Sequence, residues 1–332
     1  MADNDKITLT RLSHVIYLHQ DLNKFKAFAK DFGLEEADTQ PDENLVLFRG
    51  YGLDQYVYIA AQAPAGEAKK FVGAGFVARS REDFARACRL PGAEIVDISA
   101  WPGQGSLVKI RDPNGYEMRI LYGQQEQSLT TKGISVVDGG RPTLNGAIDK
   151  QRKGEYTRMV QSPAAIHKLG HFGYETDNYE ATCAWYTSTF NFKPTDVLHA
   201  PGKEDLDVAS FMHLDLGAEY VDHHCLLLTR SENPGTKIHH SSFEVEDIDT
   251  QMIGHQWLLD HGHELVWGIG RHVHGSQVFD YWYDSDRFII EHYADGDLVN
   301  GDTGVYRAVA GNMAVWGPPV PVIWGGKQRI SA

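Results

Sequence analysis

Cysteine is scarce. Cys88, Cys183 and Cys225 are the only three in 332 residues, far apart and in no CxxC spacing, which excludes a disulfide framework and a zinc knuckle. They are expected to serve as small buried apolar side chains. Long apolar runs are missing as well. No stretch approaches the roughly 18 apolar residues that a membrane span needs, and the opening MADNDKITLT has neither the basic end nor the apolar run of a signal peptide. A cytoplasmic protein with no membrane partner is therefore expected. Positive charge is also in deficit: 31 Lys and Arg against 45 Asp and Glu leave a net charge of −14. Such a surface repels nucleic acid and anionic lipid, so the expected partners are a small molecule and further copies of the chain in a homo-oligomer. Histidine is nearly absent from the first half: of 16, only His14 and His19 precede residue 166. The two halves must differ in chemistry.

What is present is an ordinary globular composition, 42% hydrophobic and 23% charged, in a chain long enough for two domains. Alternating strand patterns and amphipathic helix patterns follow one another in the order βαβββ, twice before residue 123 and twice after residue 166. The pairs Leu12 to His14 and Leu169 to His171 each precede a helix of similar length, which points to internal duplication. The sequence thus predicts an α+β fold of two domains, each a pair of βαβββ modules closing into an open, barrel-like cup, since one module cannot cover its own sheet. Residues 1–123 form the first domain, 124–165 a connector, 166–297 the second domain and 298–332 an irregular tail that packs back over it.

Three side chains in the second half fall on equivalent inward strand positions: His171, His240 and Glu291. Two imidazoles and a carboxylate on one face of a metal, with the other face open, form the ligand set of non-haem Fe(II) oxygenases, and Mn(II) shares it. Module alignment puts His14, Gly73 and Arg119 at these positions in the first half, so the first domain should hold no metal. Strand alternation turns His223, His239 and His292 away from the cup and leaves His274 able to enter it. His255, His261 and His263 should be exposed on or after a helix, and Asp284 and Asp286 should be turn acids.

The run GRHVHGSQVFDYWYDSDRFIIEHY, residues 270–293, resembles the signature of type I extradiol (ring-cleaving catechol) dioxygenases of the vicinal oxygen chelate superfamily. KLGHFGYETDNYEATCAWYTSTFNF, HHCLLL and KIHHSSFEV are similar to that family's other blocks. The resemblance implies iron ligands at His171, His240 and Glu291, an acid-base histidine at His224, and catalytic, substrate-binding groups at His272 and Tyr281; strand parity, not the resemblance, adds His274 as a further substrate contact. It also implies an Fe(II) cofactor, O2 as co-substrate and a catechol-type diol as substrate. The chain departs from the family at Gly275, where a polar residue is usual, and at Ser285 and Arg287, which replace the Pro and Gly of the last turn. Two other classes use this scaffold: metal-dependent isomerases or lyases, generally with carboxylates from both modules, and non-enzymatic binding proteins.

Overall fold

The computed structural model describes residues 6–129, 145–154 and 156–325. Most of the expected connector (130–144 and 155), the first five residues and the end of the tail (326–332) lie outside the described residues. The first half runs β1 (Leu9–His19), α1 (Leu22–Phe32), β2 (Glu35–Glu36), β3 (Leu45–Arg49), β4 (Tyr58–Gln62), β5 (Lys70–Ala78), α2 (Arg81–Ala87), β6 (Glu94–Val96), β7 (Ser106–Arg111) and β8 (Glu117–Tyr122). The second runs β9 (Ile166–Thr176), α3 (Tyr179–Thr189), β10 (Phe192–Ala200), β11 (Lys203–Leu214), β12 (Val221–Asp222), β13 (Leu226–Arg230), β14 (Thr236–Val245), α4 (Ile248–Asp260), β15 (Leu265–His272), β16 (Val278–Tyr283) and β17 (Ile289–Ala294). The duplication is visible in pairing. β1 lies parallel to β4 and antiparallel to β5, which lies parallel to β8; β9 repeats this with β13, β14 and β17. Each domain is built on one large mixed sheet, β2-β3-β4-β1-β5-β8-β7-β6 in the first.

Local chemistry sets the element ends. Asp21 caps α1 by accepting the Lys24 N–H, and Gly33 ends it in the left-handed region at φ 96°. Gly33 is required twice over, because a Cβ there would sit 1.8 Å from the Ala164 carbonyl oxygen. The helix buries Phe25, Phe28, Ala29 and Phe32, each phenylalanine contributing about 1.5–3 kcal/mol. These residues join one apolar cluster that runs through both domains, with Phe76, Phe172 and Phe243 among its members. Polar bonds lock the same interface. Tyr17 and Ser241 share a 2.6 Å hydroxyl bond, Tyr174 donates to Asp112 at 2.6 Å, and His19 pairs with Asp286 at 2.8 Å.

The tail is less irregular than the sequence suggests. It forms β18 (Leu298–Val299) on β12, β19 (Tyr306–Val309) beside β10, and β20 (Ala314–Trp316) beside β15. The second sheet therefore reads β19-β10-β11-β13-β9-β14-β17-β16-β15-β20, with the tail on both of its edges. Residues 310–313 join those edges and form part of the cavity wall. Glycine and proline hid this from a periodicity reading, because edge strands of three or four residues carry little pattern. Cys225 is buried and the other two cysteines are partly so. Among the described residues no helix is long and apolar enough to cross a membrane.

Candidate active site

The register of the second sheet determines which side chains meet. His171 on β9 stands opposite Ser242 on β14, Ser242 stands opposite Glu291 on β17, and His240 stands opposite Gly173. His171 Nε2 lies 2.9 Å from His240 Nε2, and Glu291 Oε2 lies 3.3 Å and 3.4 Å from these two nitrogens. All three residues are buried, with Glu291 at 0% exposure. Neither carboxylate oxygen has a hydrogen bond of good geometry, although the two ring nitrogens lie 3.3 Å and 3.4 Å from Oε2. Burial alone would raise the Glu291 carboxyl, but the imidazoles of His171, His240 and His272 outweigh it and hold it well below its usual value. Burial also lowers His171 to about 4. A buried carboxylate without a bond is costly. Two imidazole nitrogens and a carboxylate aimed at one point fit a divalent ion, which all three could ligate at once.

The same symmetry shows what the site lacks. Gly173, opposite His240, is paired on its other side with Leu227 of β13, so Leu227 occupies the position in module three that Glu291 holds in module four. The site thus offers one carboxylate, not two, and its fourth quadrant is apolar. A Cβ on Gly173 would meet the Leu227 Cβ at 2.9 Å. In the first domain the equivalent positions carry His14, Gly73, Arg119 and Ile59, by the pairs His14 to Gly75, Gly75 to Arg119, Ile16 to Gly73 and Ile16 to Ile59. That cup is filled by a cluster including Leu47, Tyr56, Ile59 and Leu121, with Trp101 packed on it. His14 is fully buried, and burial, with Arg119 beside it, pushes its pKa well down.

A cavity of about 390 Å³ opens in front of the triad. His224, His272 and Tyr281 all line it. The His224 ring lies 4.1 Å from that of His171, and its Nδ1 is 3.2 Å from His223 Nδ1, which leaves Nε2 as the free atom. His272 Nδ1 donates to the Met313 carbonyl at 3.0 Å, so its Nε2 accepts the Tyr281 hydroxyl at 2.9 Å. Burial and the Glu291 charge push the Tyr281 phenol well above its ordinary value. A second crevice, of about 450 Å³, lies between the domains, but its Arg11 and Asp54, and its Lys168 and Asp222, are already paired with each other. The chemistry converges on the first cavity.

One strand neighbour stands elsewhere than alternation predicts. His239 does not turn away. The pairing of β14 with β9 skips from Ile238 to His240, and this bulge lets two consecutive side chains reach one face. His239 lines the cavity and stacks on Trp324 at 4.8 Å. His223 stays out of the cavity yet is buried, 3.5 Å from Asp196. His292 faces the first domain, its Nε2 donating to the Phe32 carbonyl at 2.8 Å. His261 is exposed as expected, whereas His255 and His263 are half-buried on Asp280 and Asp31. Those bonds come from other elements and leave no trace in helical spacing.

His274 does enter the cavity, and its Nδ1 is 2.6 Å from Asp196 of β10. Burial pushes the Asp196 carboxyl up, but the bonds from His223 and His274 outweigh it and hold it at about 2. Sequence reading missed Asp196, since nothing in a strand with both polar and apolar neighbours singles it out. Gly275 is explained by its backbone: φ is +78°, and a Cβ would lie 3.0 Å from His223 Nδ1. His274, one residue earlier, supplies the polar group at this turn. In the last turn Arg287 carries the strain that glycine would avoid, at φ 62°. Of the tail's tryptophans, Trp324 lines the cavity and Trp316 is half-exposed on the sheet edge.

Residues 168–291 match the family model for the Glyoxalase/Bleomycin resistance protein/Dioxygenase superfamily. Over 308 residues the chain is 27% identical to Metapyrocatechase 2 of Cupriavidus necator, covering 91% of this chain and 87% of the relative. Among solved structures, homoprotocatechuate 2,3-dioxygenase from Brevibacterium fuscum aligns with a TM-score of 0.75 at 19% identity, over 96% of this chain and 92% of that one. An Mn(II)-bound glyoxalase from Novosphingobium aromaticivorans aligns with a TM-score of 0.72 at 20% identity, over 94% and 91%. Both likenesses concern the fold.

Proposed function

We propose that this protein is an extradiol dioxygenase that opens a catechol-type aromatic ring beside its diol, with Fe(II), or Mn(II) in its place, held by His171, His240 and Glu291. The observation that carries the reading is the fully buried Glu291 carboxylate, without a hydrogen bond, facing two converging imidazole nitrogens at the floor of a cavity. When bound, the metal supplies a Lewis-acid centre that lowers the diol's pKa and brings diol and O2 together. The net reaction needs no external reductant: one ring carbon–carbon bond breaks, both atoms of O2 enter the product, and the ring supplies the electrons.

The chain's own groups do the positioning and the proton work. His224 Nε2 faces the space beside His171 and is placed to hold a proton and return it during cleavage. His272, fixed by Met313 as an acceptor at Nε2, takes the Tyr281 hydrogen bond, and together they border the diol's place. Leu227, Phe211 and Trp324 exclude water from the ring. Leu227 at the second carboxylate's position also weighs against an isomerase or lyase that needs two acids. A binding protein would have no use for three convergent ligands. The test is metal content: His171→Ala and His240→Ala should each lose bound iron and turnover together. Variants that keep one iron per chain and remain active would refute the ligand assignment.

A further inference from the structure

We propose that the substrate is a catechol whose ring substituent is uncharged and apolar, an alkyl or aryl group, and that the cavity discriminates against diols bearing a carboxylate. This rests on the ring-cleaving reading above and names the substrate class for that same cavity. The cavity is large enough for a ring with a substituent. At about 390 Å³ it lies within the range of pockets that hold drug-sized ligands, well beyond the eight non-hydrogen atoms of unsubstituted catechol. Once the diol is on the metal, the ring's outer positions must face what remains of the wall. That wall is apolar at Leu198, Ala209, Phe211, Leu227, Met313 and Trp324, with Thr229, His239, Gln277 and Asn312 standing among them.

Among the described residues no lysine or arginine lines the cavity. Its charged surroundings are instead acidic. His274 is bonded at 2.6 Å to Asp196, a buried carboxylate also approached by His223. If His274 is protonated, the pair is neutral; if it is not, the pair is negative. In neither state does the wall offer net positive charge to an anion. The metal's two positive charges are already matched by Glu291 and the diolate. A carboxylate on the substrate would be a further anion, buried without a partner and one imidazole away from Asp196, an arrangement that costs several-fold to many-fold in affinity. An alkyl or aryl group loses nothing there and gains the burial.

The experiment uses the full chain loaded with Fe(II). kcat/KM is measured for catechol, 4-methylcatechol and 4-ethylcatechol against 3,4-dihydroxybenzoate and 3,4-dihydroxyphenylacetate, and binding of each is measured anaerobically. The alkyl catechols should exceed the carboxylates by about 100-fold or more in kcat/KM, with the same order in binding. Thr229→Arg, which sets a guanidinium on the cavity wall, should narrow that gap by about tenfold or more. Comparable binding and cleavage of both classes by the unaltered protein would overturn the proposal and leave the ring-cleaving reading standing. Cleavage of none of the five diols would overturn that reading, and this proposal with it.

Discussion

Replacing Glu291 with glutamine should separate the cost of the site from its use. Glu291 is at 0% exposure and neither oxygen has a hydrogen bond of good geometry. A buried polar group left without a bond costs about 1–3 kcal/mol, and more when charged. Glutamine keeps the shape and removes the charge, but the imidazoles of His171, His240 and His272 favour the ionised carboxyl over its neutral form, so the metal-stripped variant should be less stable than the parent, by about 1–3 kcal/mol. For domains of this size about 1 kcal/mol moves Tm by roughly 2–4 °C. Metal widens the difference. At one hundred times its dissociation constant an ion that binds only the folded chain adds about 2.7 kcal/mol, and the variant, lacking a ligand, should gain almost none of it. Anaerobic thermal unfolding of both proteins, stripped and loaded with Fe(II), reads all four values. Equal stabilisation of the two proteins by iron would show that Glu291 is a structural ion-pair partner and not a ligand.

Three further outcomes follow from particular contacts. His224→Ala should keep its iron and catechol affinity yet lose about 10²–10⁴-fold in kcat, while His223→Ala, whose side chain lies outside the cavity, should lose much less; equal losses would place the proton work elsewhere. His14→Ala should leave one iron per chain, as analysis of metal content will read, because Gly73 and Arg119 stand where its partner ligands would be; loss of that iron would relocate the site. Asp284, on the turn between β16 and β17, accepts the Asp286 and Phe288 N–H groups through Oδ1 while its Oδ2 has no partner. Burial, with Asp286 adding and Lys69 opposing, raises its pKa to about 7. A carboxyl raised on folding favours the folded state when protonated, so its contribution is present below pH 4 and is lost as pH rises through 7. Asp284→Asn should therefore be more stable than the parent at pH 8, by about 2–4 kcal/mol, and equal to it near pH 4, as urea unfolding at the two values would measure. A constant difference across that range would refute the assignment.

Much of this could be read from residue order because strand parity and duplication are strict. His171, His240 and Glu291 were legible as inward positions, and His14, Gly73 and Arg119 as their counterparts, since the two halves share one register. Parity failed where the backbone departs from it: a single inserted residue at His239 moves that ring into the cavity, and no composition signal marks such a bulge. Asp196 was illegible for a different reason, because its significance comes from His274, which lies 78 residues away in sequence. The tail's part in the cavity wall, through Met313 and Trp324, depends on short edge strands whose partners lie in β10 and β15.

The central claim is ring opening by O2 at the second-domain site, and isotopic oxygen tests it most directly. The iron-loaded protein, given 4-methylcatechol under ¹⁸O2, should consume one O2 per diol and yield a ring-opened product carrying both labelled atoms. Consumption of O2 with release of an intact quinone, or a ring-opened product with no label from O2, would contradict the account.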